Sequence, residues 1–259
     1  MEFVTSADGT KIATHTVGAG PAIVIITGAL SKASDAEGLA RVFANAGLQV
    51  TTYDRRARGD SGDTAPADPL REVEDLAAVI DAAGGEAAVL GHSSGAVLAH
   101  YAAGEGVPMT HLFLSEPPYR FGEPGPTADL AERLQALVDD DRPGEAITTF
   151  QREAVGLPEE FIEQFRATPA FDAILPLAQS TVYDTILTAR VATPTDAMVE
   201  VAMPVTILCG VQTLPIITTA VARLAEAMPS AELLEVPESV GHQVHPIATA
   251  RILVARLAA

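Results

Sequence analysis

The sequence predicts an α/β protein with a doubly wound, mostly parallel sheet and an inserted helical lid. Three observations carry this. Short β-branched runs alternate with amphipathic stretches; parallel strands need crossover connections, and helices in those crossovers cover both faces of a sheet. The alternation stops between roughly 120 and 195, where Pro, Gly and acidic residues punctuate amphipathic stretches with no convincing strand. It then resumes, which sets the expected boundaries: a core of residues 1–118 and 197–259, and a lid of residues 119–196.

The chain opens on a hairpin, with Glu2-Phe3-Val4-Thr5 and Lys11-Ile12-Ala13-Thr14 alternating around Asp8-Gly9. Ala22 to Gly28 is a continuous β-branched run ended by glycine, as expected of a strand buried on both faces. A helix follows over Ala36–Ala46 and a strand over Leu48–Asp54. A loop bearing Arg55, Arg56 and Arg58 leads to a helix from about Leu70 to Ala83. The rhythm repeats as strand Ala87–Gly91, helix Ser94–Ala103 and strand Thr110–Ser115. In the lid the clearest stripes are Leu130-Leu134-Leu137 and Phe161-Phe165. The sheet returns at Val205–Gly210, then a helix over Thr218–Met228, a strand over Glu232–Val236 and a closing helix over Pro246–Leu257.

Composition narrows the function. With 259 residues, 48% hydrophobic and 19% charged, the chain can bury a large core. Its 16 basic against 34 acidic residues leave −18, which repels nucleic-acid phosphates and anionic lipid, so neither is an expected partner. The lone Cys209 excludes a disulfide framework and a cysteine-rich zinc site. The N-terminus has no apolar signal region and no run could span a bilayer, so a cytoplasmic protein is expected. H-E-x-x-H and C-x-x-C are absent, and Gly18-Ala19-Gly20 precedes a strand where a dinucleotide loop would follow one. No cofactor and no metal are expected.

The chemistry centres on Gly91-His92-Ser93-Ser94-Gly95, a G-x-S-x-G between a buried strand and a helix. Glycines there permit a strained turn that lifts Ser93 Oγ out of the sheet, and the helix N-terminus aims free N–H groups at a developing oxyanion. Elsewhere such a pattern is an ordinary tight turn; its placement makes Ser93 the candidate nucleophile. Serine needs a base. His242, in the loop beyond Val236, is the candidate, and His245 is its rival, with capping of the last helix as its plainer role. His92 is read only as the variable residue of the turn.

The order of these features resembles the α/β-hydrolase superfamily across essentially the whole chain: hairpin, strand ending Ile26-Thr27-Gly28, the Arg55-Arg56-Ala57-Arg58-Gly59-Asp60-Ser61 turn, the Ser93 elbow, lid and late histidine. The resemblance implies that the N–H groups of Ala29 and Ser94 form an oxyanion hole. It also makes the arginine stretch a structural turn, usually with glycine where this chain has Ala57, whose arginines pair with local carboxylates such as Asp54, Asp60 and Asp63.

The family's usual acid follows the strand that ends at Gly210, and Gly210-Val211-Gln212-Thr213-Leu214-Pro215 holds no carboxylate. Glu116, at the C-terminal end of the strand after the elbow, is the better candidate, because catalytic groups gather at those strand ends. Gln212 stays open as a neutral substitute. A Ser93, Glu116, His242 set is similar to the variant triad of zearalenone lactonase and related α/β-hydrolases.

The expected function is cofactor-free cleavage of a small apolar ester or lactone, with Ser93, His242 and Glu116 catalytic. Lid aromatics are expected mostly to pack within the lid, and Tyr119, Phe150 and Tyr183 are the candidates for substrate contact. A non-hydrolytic enzyme on the same scaffold, such as a cyclase, lyase or haloperoxidase-like protein, and a silent binding protein are the alternatives. A homodimer is left open.

Overall fold

The computed structural model describes residues 1–258. Strands β1 (Glu2–Thr5) and β2 (Lys11–Gly18) form the expected antiparallel hairpin, with Gly9 at a φ of 88° in its turn. There follow β3 (Ala22–Ile26), α1 (Glu37–Asn45), β4 (Gln49–Tyr53), α2 (Pro69–Ala82), β5 (Ala88–His92), α3 (Ser94–Gly104) and β6 (Leu112–Ser115). Six helices come next without a strand: α4 (Leu130–Asp139), α5 (Pro143–Phe150), α6 (Glu159–Arg166), α7 (Pro169–Ile174), α8 (Ala178–Arg190) and α9 (Asp196–Val199). The core closes with β7 (Val205–Cys209), α10 (Pro215–Ala227), β8 (Glu232–Glu235) and α11 (Pro246–Leu257). The eight strands lie in the order β1-β2-β4-β3-β5-β6-β7-β8, parallel from β4 to β8, with β2 antiparallel to β1 and β4.

Side chains alternate across a strand, and here both faces are apolar. Val24, Ile26, Val89, Leu112, Leu114 and Ile207 pack against α2, α3 and α10; Ile23, Ile25, Leu90, Phe113 and Leu208 point the other way, towards α1 and α11. This two-sided burial makes the central strands read as unbroken apolar runs. The helical insertion has its own core around Leu130, Leu134, Ile147, Phe150, Phe171 and Val182. The Phe161-Phe165 stripe does not turn inward as a unit: Phe161 is 65% exposed and Ile162 takes the buried position on α6. No described helix is long and apolar enough to cross a membrane.

Candidate active site

The turn between β5 and α3 is as tight as the glycine pattern implied. Ser93 sits at φ 55°, ψ −124°, a conformation that costs a non-glycine residue about 1–3 kcal/mol and holds the side chain clear of the sheet. The flanking glycines answer to crowding. A Cβ on Gly91 would lie 2.4 Å from the Gly95 carbonyl oxygen, and one on Gly95 would lie 2.4 Å from that of Ile26. The turn is pinned by Ser93 N–H, which donates to the Ser115 carbonyl at 2.9 Å.

Glu116 follows β6 directly and is 2% exposed. Its Oε1 accepts from Gly210 N–H at 2.8 Å, and its Oε2 accepts from the Thr213 hydroxyl at 2.8 Å. The same Oε2 lies 2.5 Å from His242 Nδ1. Burial alone would raise the Glu116 pKa, but the hydrogen bonds from His242, Gly210 and Thr213 outweigh it and hold the carboxyl below its ordinary value. An ionised carboxylate only accepts, so His242 Nδ1 carries a proton, and in the neutral imidazole Nε2 is then the nitrogen with the lone pair. His242 and Glu116 have φ of 60° and 53°, so all three candidate catalytic residues adopt left-handed backbone. Ser93 and His242 line one pocket, and no hydrogen bond joins Ser93 Oγ to the imidazole; free sites often tighten this contact only around substrate.

Ala29 and Ser94 line the same pocket. Among the described residues neither N–H donates to a protein acceptor, which leaves both for a ligand oxygen. Gln212 reaches the histidine loop through its backbone alone: its carbonyl accepts from Gly241 N–H at 2.8 Å. Thr213, beside it, touches the Glu116 carboxylate instead. His245 caps α11, its Nδ1 accepting from Ala248 N–H at 3.2 Å.

His92 is more than a variable position. Its Nε2 donates to the His242 carbonyl at 3.1 Å and its Nδ1 accepts from the Ser115 hydroxyl at 3.2 Å. Burial first, and the neighbouring His242 second, lower its pKa to about 4, so it stays neutral while it supports the histidine loop.

The arginine turn corrects the expected pairing. Arg55, Arg56 and Arg58 are buried and pair with carboxylates far along the chain, not with Asp54, Asp60 and Asp63. Arg55 forks onto Glu72 at 2.7 and 3.0 Å and donates to Asp184 of α8 at 2.9 Å. Arg56 forks onto Asp75 and reaches Asp8. Arg58 donates to Asp184 at 2.9 Å and to the Gly28 carbonyl at 2.7 Å. Asp54 serves the backbone, accepting from Ala33 and Asp60 N–H groups, because the chain curls around its carboxylate. Burial would raise the Asp184 pKa, but Arg55 and Arg58 overcome it and hold the group ionised.

The Alpha/beta hydrolase family model matches residues 23–256. The chain belongs to the alpha/beta hydrolase family. This hydrolase is similar in structure to an alpha/beta hydrolase from Sphaerobacter thermophilus, with 38% identity over 99% of this chain and 100% of that one and a TM-score of 0.91. An esterase from Exiguobacterium antarcticum shares 19% identity over 99% of both chains, TM-score 0.72. The enol-lactonase from Burkholderia xenovorans shares 16% over 100% of both, TM-score 0.68. At those identities the last two show the shared fold alone. No curated protein matches the sequence.

Of the three aromatics expected at the hydrolase's substrate, Phe150 lines the Ser93 pocket and the two tyrosines do not. The Tyr119 hydroxyl donates to His100 Nδ1 at 2.9 Å within the core on the α3 face of the sheet, and Tyr183 donates to Asp63, outside the Ser93 pocket. Buried hydroxyls turn to where a partner is available, and neither finds one in the pocket. The walls are instead Pro118, Phe150, Val155, Leu214, Ile216 and Ile217, with Arg120 and Asp184 as their charged members. Arg120 carries no motif that sequence alone could have used; Thr213 lay in the loop already searched for an acid.

Proposed function

We propose that the protein is a cofactor-free serine hydrolase that cleaves an ester or lactone through an acyl-enzyme, with residues 119–196 as its lid. The observation that carries this reading is the 2.5 Å contact between His242 Nδ1 and Glu116 Oε2, in a pocket that also holds Ser93 on its strained turn. Ser93 Oγ attacks the carbonyl carbon and its proton passes to His242 Nε2. The ionised Glu116 balances the imidazolium, and the Ala29 and Ser94 N–H groups hold the oxyanion, an interaction typically worth about 3–4 kcal/mol per donor. Collapse breaks the ester bond, and His242 returns the proton to the departing alkoxide; for a lactone that oxygen stays on the acyl chain. Water, deprotonated by His242, then attacks the acyl carbon, and Ser93 leaves with the proton. Ester and lactone chemistry are those named for two proteins of the same fold.

A fluorophosphonate probe tests the nucleophile. Wild type is labelled and Ser93→Ala is not; equal labelling of both moves the nucleophile elsewhere. Product analysis on an ester and lactone panel completes the test, since one acid and one alcohol per ester, or one hydroxy acid per lactone, separates hydrolysis from cyclisation or elimination, and saturable binding without turnover separates an enzyme from a binding protein.

A further inference from the structure

Setting aside Lys11 and Lys32, the 16 basic residues include fourteen arginines. Among the described residues, all of these but Arg120 and Arg251 have a carboxylate oxygen within 4.0 Å. Arg251 is exposed on α11, where water solvates it. Arg120 is half-buried in the wall of the Ser93 pocket.

Two backbone oxygens fix the plane of the Arg120 guanidinium: Nη1 donates to the Pro124 carbonyl at 2.8 Å and Nη2 to the Ala154 carbonyl at 2.7 Å. Ala154 lies in a π-helical turn, Gln151–Val155, whose last carbonyls have no helical donor, so the contact is locally natural. Carbonyls orient a guanidinium without neutralising it, and about three of its five N–H groups are left over. The other charges at the pocket have partners of their own. Asp184 and Glu72 offset Arg55 and Arg58, and the Glu116 carboxylate accepts hydrogen bonds from His242, Gly210 and Thr213. A chain of net charge −18 thus holds one oriented, unpaired cation in the same pocket as its candidate nucleophile, among apolar walls.

We propose that Arg120 recognises a substrate carboxylate, so that the hydrolase acts on esters or lactones that carry a second, free carboxylate separated from the scissile carbonyl by an apolar spacer, such as half-esters of dicarboxylic acids. The proposal rests on the Ser93 reading for the identity of the scissile group. A planar guanidinium matches a carboxylate in two parallel hydrogen bonds, and partial burial strengthens them relative to water. The spacer lies against Pro118, Phe150, Leu214 and Ile216.

Calorimetric binding to Ser93→Ala protein tests this without turnover, with the monomethyl and dimethyl esters of succinate through suberate as probes. The best half-ester binds roughly 10- to 100-fold more tightly than its diester, the range of a hydrogen-bonded charge. Adding Arg120→Met brings that ratio to about one, Arg120→Lys retains a preference for the half-ester, and Arg251→Gln, which removes the same charge elsewhere, leaves the ratio alone. A ratio at or below one in Ser93→Ala overturns the proposal. So do the absence of saturable half-ester binding, a preference that survives Arg120→Met, and one that vanishes in Arg120→Lys. Failure of fluorophosphonate labelling in wild type strikes the hydrolase reading instead and leaves the binding ratio to be judged separately.

Discussion

The buried guanidinium of Arg58 donates to the carbonyl oxygen of Gly28 at 2.7 Å, and that carbonyl shares its peptide unit with the N–H of Ala29. A hydrogen bond on the oxygen of a peptide polarises its N–H and fixes its plane. Arg58 is itself held by Asp184 at 2.9 Å, and Asp184 also takes Arg55, whose Nη1 lies 3.3 Å from the Ser94 hydroxyl. One carboxylate on α8 therefore braces the segments that carry both proposed oxyanion donors.

Arg58→Lys keeps the charge and loses the fork that reaches Gly28 and Asp184 together. We expect kcat on an ester to fall about tenfold, below the loss typical of deleting a donor outright. Asp184→Asn leaves two buried cations short of a partner and should cost about 3 kcal/mol or more in denaturant unfolding. Unchanged kcat in Arg58→Lys would show that the Gly28 peptide needs no support.

Glu116→Gln should leave the fold intact, because its amide oxygen can still accept from Gly210. Its NH2 then faces His242, so Nδ1 must become the acceptor and Nε2 the protonated nitrogen, the wrong tautomer for taking the Ser93 proton. The expected fall in kcat is about 10³–10⁴, with fluorophosphonate labelling slowed in step. Retention of a tenth of wild-type kcat would move the role off Glu116.

Ala57 stands at φ 61°, where the family turn usually has glycine. Left-handed backbone costs an L residue about 1–2 kcal/mol, and glycine gives back about 0.4–1 through its looser unfolded chain. Ala57→Gly should therefore raise Tm, by about 1–3 °C for a protein of this size. A lower Tm contradicts the strain.

His100 is wholly buried, its Nε2 donating to the Met198 carbonyl at 2.8 Å, and burial lowers its pKa from 6.5 to about 4. The unfolded chain takes up this proton near pH 6.5 and the native chain only near 4, so the unfolded state binds more protons between them. Stability is present above about pH 6.5 and is lost as pH falls towards 4, with a slope of about 1.4 kcal/mol per pH unit from this group. His92, whose pKa burial likewise lowers to about 4, acts in the same direction. Urea unfolding at pH 7, 5.5 and 4.5 should show a shallower slope in His100→Gln; parallel slopes would place the acid sensitivity elsewhere.

The strands and helices of the core were legible because burial on both faces leaves continuous apolar runs, as in Ile23-Val24-Ile25-Ile26, and because Gly91 and Gly95 mark a turn too crowded for any side chain. Glu116 could be singled out as a candidate from its strand end. Partner choice could not. Nothing local tells Arg58 that its carboxylate lies at Asp184, 126 residues away, or tells Tyr119 that its hydroxyl will meet His100. Such pairings are decided when distant elements pack, and the nearest acid in sequence is often committed to the backbone, as Asp54 is. Arg120 became notable only by what does not surround it.

The double ion pair at Asp184 also sets how the roof over Ser93 can open. Lifting α8 would strip Arg55 and Arg58 of a buried partner, so that flank behaves as a fixed wall. Traffic is left to the opposite side, between the π-helical turn at Gln151–Val155 and the solvent-facing Leu214 and Ile216. Arg120 bonds to that turn, so a ligand leaving through this doorway would pass the one cation that had held it.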